Sequence, residues 1–267
     1  MAQSSSKGAN YLEEINSWKE DIKKQAEELV LKTFPRKTLE LHQLFTSPKF
    51  NIKHLSAIKT DINIPVPDYP YVKDVSSISN NHDGESPSKS QSKKRKYLAI
   101  SKDDDLKNDA GSRVLVLPYG SVPCNKNIVA LIDIVKPLIR QLVEDSNLLK
   151  MWILFLIPRI EDGNNFGVSI QEDTLGEIRT VEAEASAYFD QMSRYFLGRA
   201  KIVTKIAKYP HVEDFRRNVE EIDEKEFLSL RLIVAELRNH YASLHDIVTK
   251  NLEKIKLPRT SNTSTMY

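Results

Sequence analysis

Glycine and cysteine are scarce in this sequence, and neither sign of charge dominates. The 267 residues include 8 glycines and 1 cysteine, and the formal net charge at pH 7 is +2. So few glycines argue against an all-β fold with many tight turns, because such turns need residues that accept positive φ. The lone Cys124 excludes an intrachain disulfide. The small net charge gives no signature of nucleic-acid binding, so no nucleic-acid partner is expected.

Long hydrophobic runs and the motifs of common enzymes are also missing. No apolar run approaches the roughly 20 residues that a membrane-spanning helix needs, so no membrane partner is expected. The sequence has no phosphate loop, dinucleotide fingerprint, zinc-protease helix or nucleophile elbow. We therefore expect a protein that is not an enzyme, with no catalytic residues, no cofactor and no metal.

Two weak metal patterns do not change that expectation. His240 and His245 are five positions apart, which is a poor fit to one helix face. Four residues match positions 1, 3, 6 and 12 of a calcium loop: Asp162, Asn164, Gly167 and Asp173. Phe166 stands at position 5, where an oxygen ligand is required, so calcium binding is not expected.

Helical periodicity covers most of the chain. Apolar residues recur at spacings of three and four in four blocks, at about 11–45, 127–157, 169–209 and 211–255. The third block has the most regular stripe: Ile178, Val181, Ala185, Tyr188, Met192, Tyr195, Arg199, Ile202 and Ile206. This pattern predicts an all-α fold, an elongated four-helix bundle with shallow crossing angles. Apolar residues beside the stripes predict lateral self-association, which gives a closed ring if the interface is head-to-tail.

Individual residues add detail to the predicted bundle. Pro35 predicts a kink or a break in the first block, and Pro137 predicts a bend in the second. Arg199 occupies a core position of the third stripe, where a lone buried charge is costly. We expect it to pair with a carboxylate of the fourth helix, or its helix face to line a channel.

The segment of residues 65–125 differs from the blocks on either side, which are 1–64 and 126–257. It carries several prolines and seven serines between Ser76 and Ser92, a composition that predicts disorder over about 76–112. A basic run lies within it: Lys93, Lys94, Arg95 and Lys96. The run is typical of a nuclear localisation signal, with a solvated charge run as the alternative. We expect the nucleus as the location, with the cytoplasm as a second one.

The stretch from Pro158 to Gly167 is richer in turn residues than a plain connection between helices requires. It holds one proline, two glycines, an asparagine pair and a phenylalanine. Gly163 and Gly167 permit positive φ, so a compact loop displayed at one end of the bundle is expected. The candidate site residues are Arg159, Glu161, Asp162, Gly163, Asn164, Asn165, Phe166 and Gly167.

The C-terminal tail, residues 258–267, follows the last predicted helix and ends in an aromatic residue. Its four final residues are Ser264, Thr265, Met266 and Tyr267. A frayed terminus is the usual interpretation of such a segment. The functional interpretation is a peptide whose terminal carboxylate and aromatic ring enter a partner's pocket.

Together these motifs resemble one family, the 11S proteasome activators (REG family), and most of all its gamma type. The resemblance rests on five runs and the last residue: Met151-Trp152, Ile157 to Val168, Gln171-Glu172, Tyr209 to Asp214, Lys250-Asn251 and Tyr267. It extends to two earlier runs, Phe34 to Lys37 and Ile64 to Asp68. It implies a homoheptameric ring, found in the nucleus, whose tails dock on the outer ring of the 20S proteasome. The loop at 159–167 would then be an activation loop that holds the proteasome's gate open without ATP.

The resemblance also bears on substrates. Protein or peptide substrates would pass through a central channel, and Lys201 and Lys205 are candidate channel-lining residues. A helical scaffold or adaptor without proteasome-activating activity is the alternative function.

Overall fold

The structure is a computed structural model that describes residues 2–66 and 120–259. Six α-helices are present in these ranges, with no β-strand among the described residues: α1 (Ala2–Glu28), α2 (Phe34–Thr46), α3 (Lys126–Leu156), α4 (Phe166–Lys208), α5 (Glu213–Lys250) and α6 (Leu252–Lys256). A π turn joins α1 to α2, so the two form one long helix. That helix packs with α3, α4 and α5 as a four-helix bundle. The predicted all-α bundle is confirmed.

The disturbance expected at Pro35 takes the form of this π turn, Leu29–Thr33. Proline has no N–H, and in a regular helix its ring collides with the carbonyl four residues earlier. In the π turn the N–H of Phe34 bonds to the carbonyl of Leu29, which is five residues back. Pro35 then occupies the first turn of α2, where helices tolerate it.

The core lies between the facing stripes of the helices. The predicted stripe of α4 is mostly buried, with Tyr188 and Ile202 half-buried. The apolar residues at the same spacing in α5 are buried: Leu230, Val234, Leu237, Tyr241, Leu244 and Val248. The first helix differs, because its predicted apolar face is buried only from Ala26 onward. Leu12, Ile15 and Trp18 of the same face are 47–65 % exposed. One chain alone therefore leaves an apolar strip uncovered along the first part of α1.

Helix ends depart from the sequence prediction by a few residues. The Oδ1 atom of Asn125 accepts hydrogen bonds from the N–H groups of Asn127 and Ile128, so α3 begins at Lys126. Pro137 lies inside α3 as expected. The prediction of one last helix reaching Ile255 is wrong, because a turn at Asn251 separates α5 from α6. None of the described helices combines the length and apolar character required to cross a bilayer.

A buried polar cluster forms where α3 begins. The Arg199 Nε donates to Asp223 Oδ1 at 2.9 Å, and the Tyr195 hydroxyl donates to the same oxygen at 2.8 Å. The Asn125 Nδ2 donates to Asp223 Oδ2 at 2.8 Å. Because Asp223 lies on α5, the expected pairing of Arg199 with a carboxylate of the fourth helix is confirmed. Burial, more than the nearby Asp223, raises the pKa of Tyr195.

The two chain segments that flank residues 67–119 lie side by side. The Asn63 Nδ2 donates to the carbonyl of Ser121 at 3.1 Å. The Asn125 Nδ2 also donates to the carbonyl of Ile58, at 2.9 Å, in the 3-10 helix Ile52–Ile58. The predictions of disorder at 76–112 and of a basic signal at Lys93 to Lys96 fall outside the described residues.

Candidate functional site

The loop between α3 and α4 covers residues 157–165. It begins where the Ile157 N–H makes a last helical bond to the carbonyl of Ile153, at 3.1 Å. It ends at Asn165, whose carbonyl accepts from the Ser169 N–H at 2.9 Å. Gly163 (φ +81°) and Asn164 (φ +50°) adopt the left-handed region in succession, which reverses the chain. The prediction of a shaped turn is thus confirmed at Gly163.

Gly167 does not use the positive φ that glycine permits. Among the described glycines only Gly120 and Gly163 have positive φ. Gly167 lies instead in the first turn of α4, which starts at Phe166 and not at the predicted Ser169. A Cβ atom at Gly167 would lie 2.1 Å from the carbonyl oxygen of Pro258. Gly167 is therefore required for close approach of the C-terminal segment.

Arg259 joins the start of the tail to this loop. Its Nη1 donates to Glu161 Oε2 at 3.0 Å, and its Nη2 donates to Asn165 Oδ1 at 3.1 Å. The Asn165 Nδ2 donates in turn to the carbonyl of Glu161 at 3.4 Å. An exposed ion pair of this kind contributes at most about 1 kcal/mol to stability. The planar guanidinium group of Arg259 nevertheless fixes the orientation of the tail relative to the loop, because it bonds to two loop residues at once.

Gln171 ties three helix ends together beneath the loop. Its side chain is fully buried, and its Nε2 donates to the carbonyl of Ile255 at 2.7 Å and to that of Leu156 at 3.2 Å. Sequence reasoning used Gln171 only as part of the family resemblance and assigned no structural role to Gln171 or Arg259. A signal existed for Gln171, because its spacing to Leu175 and Ile178 places an amide on the apolar stripe. Local sequence carried no comparable signal for Arg259.

Several side chains of the loop and of the first residue of α4 are exposed. Arg159, Glu161 and Asp162 are exposed, and so are two apolar side chains, Ile160 and Phe166. Ile160 was not among the predicted site residues. Exposed apolar side chains beside charged ones, held on a fixed turn, suit contact with another protein.

Two other predicted groups lie elsewhere or cannot be placed. At 1.5 Å per residue, α4 extends roughly 50 Å from Phe166 to Lys201. Lys201 is exposed, and the Lys205 Nζ sits 5.5 Å from the ring centroid of Phe215. Both lysines are thus at the far end of the bundle from the loop. The tail residues from Ser264 to Tyr267 lie outside the described residues.

Comparison with known proteins gives consistent family matches. The model described as "Proteasome activator PA28, C-terminal" matches residues 121–265, and "Proteasome activator PA28, N-terminal" matches residues 10–69. Proteasome activator complex subunit 3 from Gallus gallus and from Homo sapiens are each 52% identical to this chain, over 95% of this chain and 94% of the relative. Subunit 2 from Bos taurus is 33% identical, over 96% of this chain and 95% of the relative.

Solved structures of two 11S activators have a similar fold. The 11S subunit of the Plasmodium falciparum proteasome, PA28, superposes with a TM-score of 0.69 at 29% identity, covering 94% of this chain and 95% of that one. The activator PA26 in complex with an archaeal 20S proteasome superposes with a TM-score of 0.51 at 15% identity, over 54% of this chain and 73% of that one. The second likeness concerns the fold alone. The chain shares more identity with subunit 3, the gamma type, than with subunit 2, so it is gamma-like. Because both family models match and the relatives align over nearly the whole chain, this protein belongs to the PA28 family of 11S proteasome activators.

Proposed function

We propose that this chain activates the 20S proteasome without ATP and without catalysing hydrolysis itself. Copies of the chain form a homoheptameric ring, the C-terminal tails dock on the proteasome's outer ring, and the α3–α4 loop stabilises the open gate. The observation that carries the proposal is the double contact of Arg259 with Glu161 and Asn165. It places the beginning of the tail and the loop at the same end of the bundle, as joint contact with one surface requires.

The free energy that each loop must contribute to opening the gate is small. Moving a gate from 1% to 99% open needs a preference for the open form of about 5.5 kcal/mol. Divided among the loops of a heptamer, this is about 0.8 kcal/mol per loop, which is within the net value of one hydrogen bond. Docking needs a larger total free energy. Several tails that each bind weakly supply it together, because the first bound tail raises the effective concentration of the others.

The apolar strip on α1 supports assembly of the ring. Tyr11, Leu12, Ile15 and Trp18 are all exposed in the single chain. The Trp18 ring packs on Phe155 in a T-shaped arrangement, with the ring centroids 5.6 Å apart. A strip of this kind is typical of an interface between subunits. Native mass spectrometry at micromolar concentration checks the assembly, and a chain that stayed monomeric would contradict it.

A peptidase assay with purified 20S proteasome tests the division between loop and tail. We expect Gly163→Ala to abolish stimulation of fluorogenic-peptide hydrolysis while retaining ring assembly and proteasome binding. An L-residue at φ +81° strains the turn by about 1 kcal/mol or more, and the turn relaxes away from its shape. Gly120→Ala is the matched control, because Gly120 also has positive φ (+77°) and open space around it.

Deletion of the four residues Ser264 to Tyr267 should instead abolish binding to the proteasome. If Gly163→Ala and the deletion lowered binding equally, the division of labour would be wrong. If the wild-type ring neither bound the proteasome nor changed peptide hydrolysis, the alternative of a helical scaffold or adaptor would be favoured.

Two further elements of the proposal concern localisation and the channel. We propose that Lys93 to Lys96 direct the protein to the nucleus, and alanine at all four positions should leave a fluorescent fusion in the cytoplasm. We also propose that Lys201 and Lys205 line the channel of the ring. Glutamate at either position should then change which fluorogenic peptides are cleaved fastest, and an unaltered preference would argue against this location.

A further inference from the structure

A histidine and two glutamates from neighbouring helices converge on the side of the bundle. Glu184 belongs to α4, whereas Glu236 and His240 are one turn apart on α5. One ligand atom from each of the three side chains lies within 4.8 Å of the other two. The His240 Nε2 lies 3.2 Å from the Glu184 Oε2.

The ring nitrogen of His240 has no hydrogen-bond partner within the described part of the chain. Its Nε2 is shielded from solvent, although the side chain as a whole is 13% exposed. The nearby Glu184 oxygen is close enough for an ion pair but does not have the direction of a hydrogen bond. A buried polar atom without a partner is unfavourable, so this nitrogen is available to a ligand.

The chemistry of the three groups suits a cation. Imidazole binds metals through a ring nitrogen, and carboxylate oxygens are common ligands beside it. In the ranges that the structure covers, neither carboxylate forms an ion pair with a lysine or an arginine.

We infer that Glu184, Glu236 and His240 form a binding site for a divalent transition-metal ion, with Zn²⁺ as the best match. An imidazole nitrogen with carboxylate oxygens is a common zinc ligand set, whereas Ca²⁺ and Mg²⁺ prefer oxygen alone. Tetrahedral bonds of 2.0–2.1 Å put ligand atoms about 3.3 Å apart. The Nε2–Oε2 separation of 3.2 Å agrees with this value. Two carboxylates balance the charge of the ion, and water completes the coordination.

The site is separate from the proposed activation loop. Along α4, Glu184 lies roughly 30 Å from the first turn at Phe166. A metal at this position cross-links α4 to α5 and stabilises the folded chain, since it binds the folded form and not the unfolded one. The inference does not depend on the proposed proteasome activity.

Zinc titration of the full-length, metal-stripped protein against a chromogenic chelator tests the site. We expect one Zn²⁺ per chain in the wild type and at least a tenfold weaker affinity in His240→Gln. Glutamine removes the ring nitrogen but breaks no hydrogen bond at Nε2, so the fold is retained, and circular dichroism checks this. His245→Gln is the matched control, because it removes a histidine from the same helix outside the cluster.

Cobalt provides a second measurement of the same site. Co²⁺ bound to the wild type should give the visible absorption bands of a tetrahedral complex, and Glu184→Gln and His240→Gln should weaken them. Added Zn²⁺ should also raise the melting temperature of the wild type and of His245→Gln, but not that of His240→Gln. Equal zinc affinity in the wild type and in His240→Gln would overturn the assignment, as would binding of less than one ion per chain.

Discussion

Replacing Gly167 with alanine tests the close contact of Pro258 with α4. Two other glycines of the same helix provide controls, since a Cβ atom at Gly176 or Gly198 meets nothing within 4 Å. Alanine is more favourable than glycine inside a helix by about 0.8–1.0 kcal/mol. Gly176→Ala and Gly198→Ala should therefore each raise the free energy of unfolding by about 0.5–1 kcal/mol.

At Gly167 the gain in helix stability is opposed by a steric clash between the added Cβ atom and the backbone of Pro258. The added Cβ atom would lie 2.1 Å, 2.6 Å and 2.7 Å from the O, Cα and C atoms of Pro258. All three are backbone atoms, so relief requires movement of the segment that carries Arg259. Overpacking costs about 1–3 kcal/mol, which leaves a net destabilisation of about 0–2 kcal/mol after the helix gain. The displacement also separates Arg259 from Glu161 and Asn165.

Urea unfolding followed by circular dichroism measures these differences. All variants must be compared at one protomer concentration, because assembly contributes to stability. Amide exchange over residues 157–165 should be faster in Gly167→Ala and unchanged in the two controls. The reasoning would be refuted if Gly167→Ala stabilised the protein as much as Gly176→Ala and left the exchange of the loop unchanged.

Two further predictions concern buried carboxylates. Asp223→Asn leaves Arg199 buried without a counter-charge and should destabilise the protein by about 3–5 kcal/mol in urea unfolding. Asp246→Asn, in an exposed pair with Lys250, should change stability by less than about 1 kcal/mol, and equal effects would contradict the argument. Burial raises the pKa of Glu226 to about 7, from an ordinary value of 4.5. Its protonated form is thus favoured by folding, and stability should fall by about 3 kcal/mol as pH rises from 4.5 to 7, then level off. Glu226→Gln should remove this part of the pH dependence, and an unchanged profile would exclude Glu226 as its source.

The core of the bundle could be predicted because the stripe spacing is repeated many times. In α4 and α5 each stripe continues over many turns, so a single irregular position does not alter the assignment. Helix ends are set by one or two local interactions and are less certain. Thus α4 begins at Phe166 and not at Ser169, and the turn at Asn251 divides the last helix. Repetition of the pattern over many turns therefore decided which features could be predicted.

The junction of loop and tail could not be predicted in this way. Arg259 is 98 residues from Glu161 and 94 from Asn165, and Gln171 is 84 residues from Ile255. No local pattern encodes contacts between residues so far apart. Gly167 shows a related limit, because glycine serves either a positive φ or a close approach. The sequence indicates that position 167 requires glycine, but it does not show whether positive φ or close approach is the cause.

The hydrogen bond between Asn63 and Ser121 has a practical consequence for protein engineering. The described residues on either side of 67–119 therefore lie side by side, so the two points that this segment connects are close together. For a disordered segment, as residues 76–112 are predicted to be, doubling the length adds only about 0.6 kcal/mol of closure entropy. A fluorescent protein or an affinity tag inserted within residues 67–119 would be joined to the bundle at two neighbouring points. The four helices should therefore keep their packing.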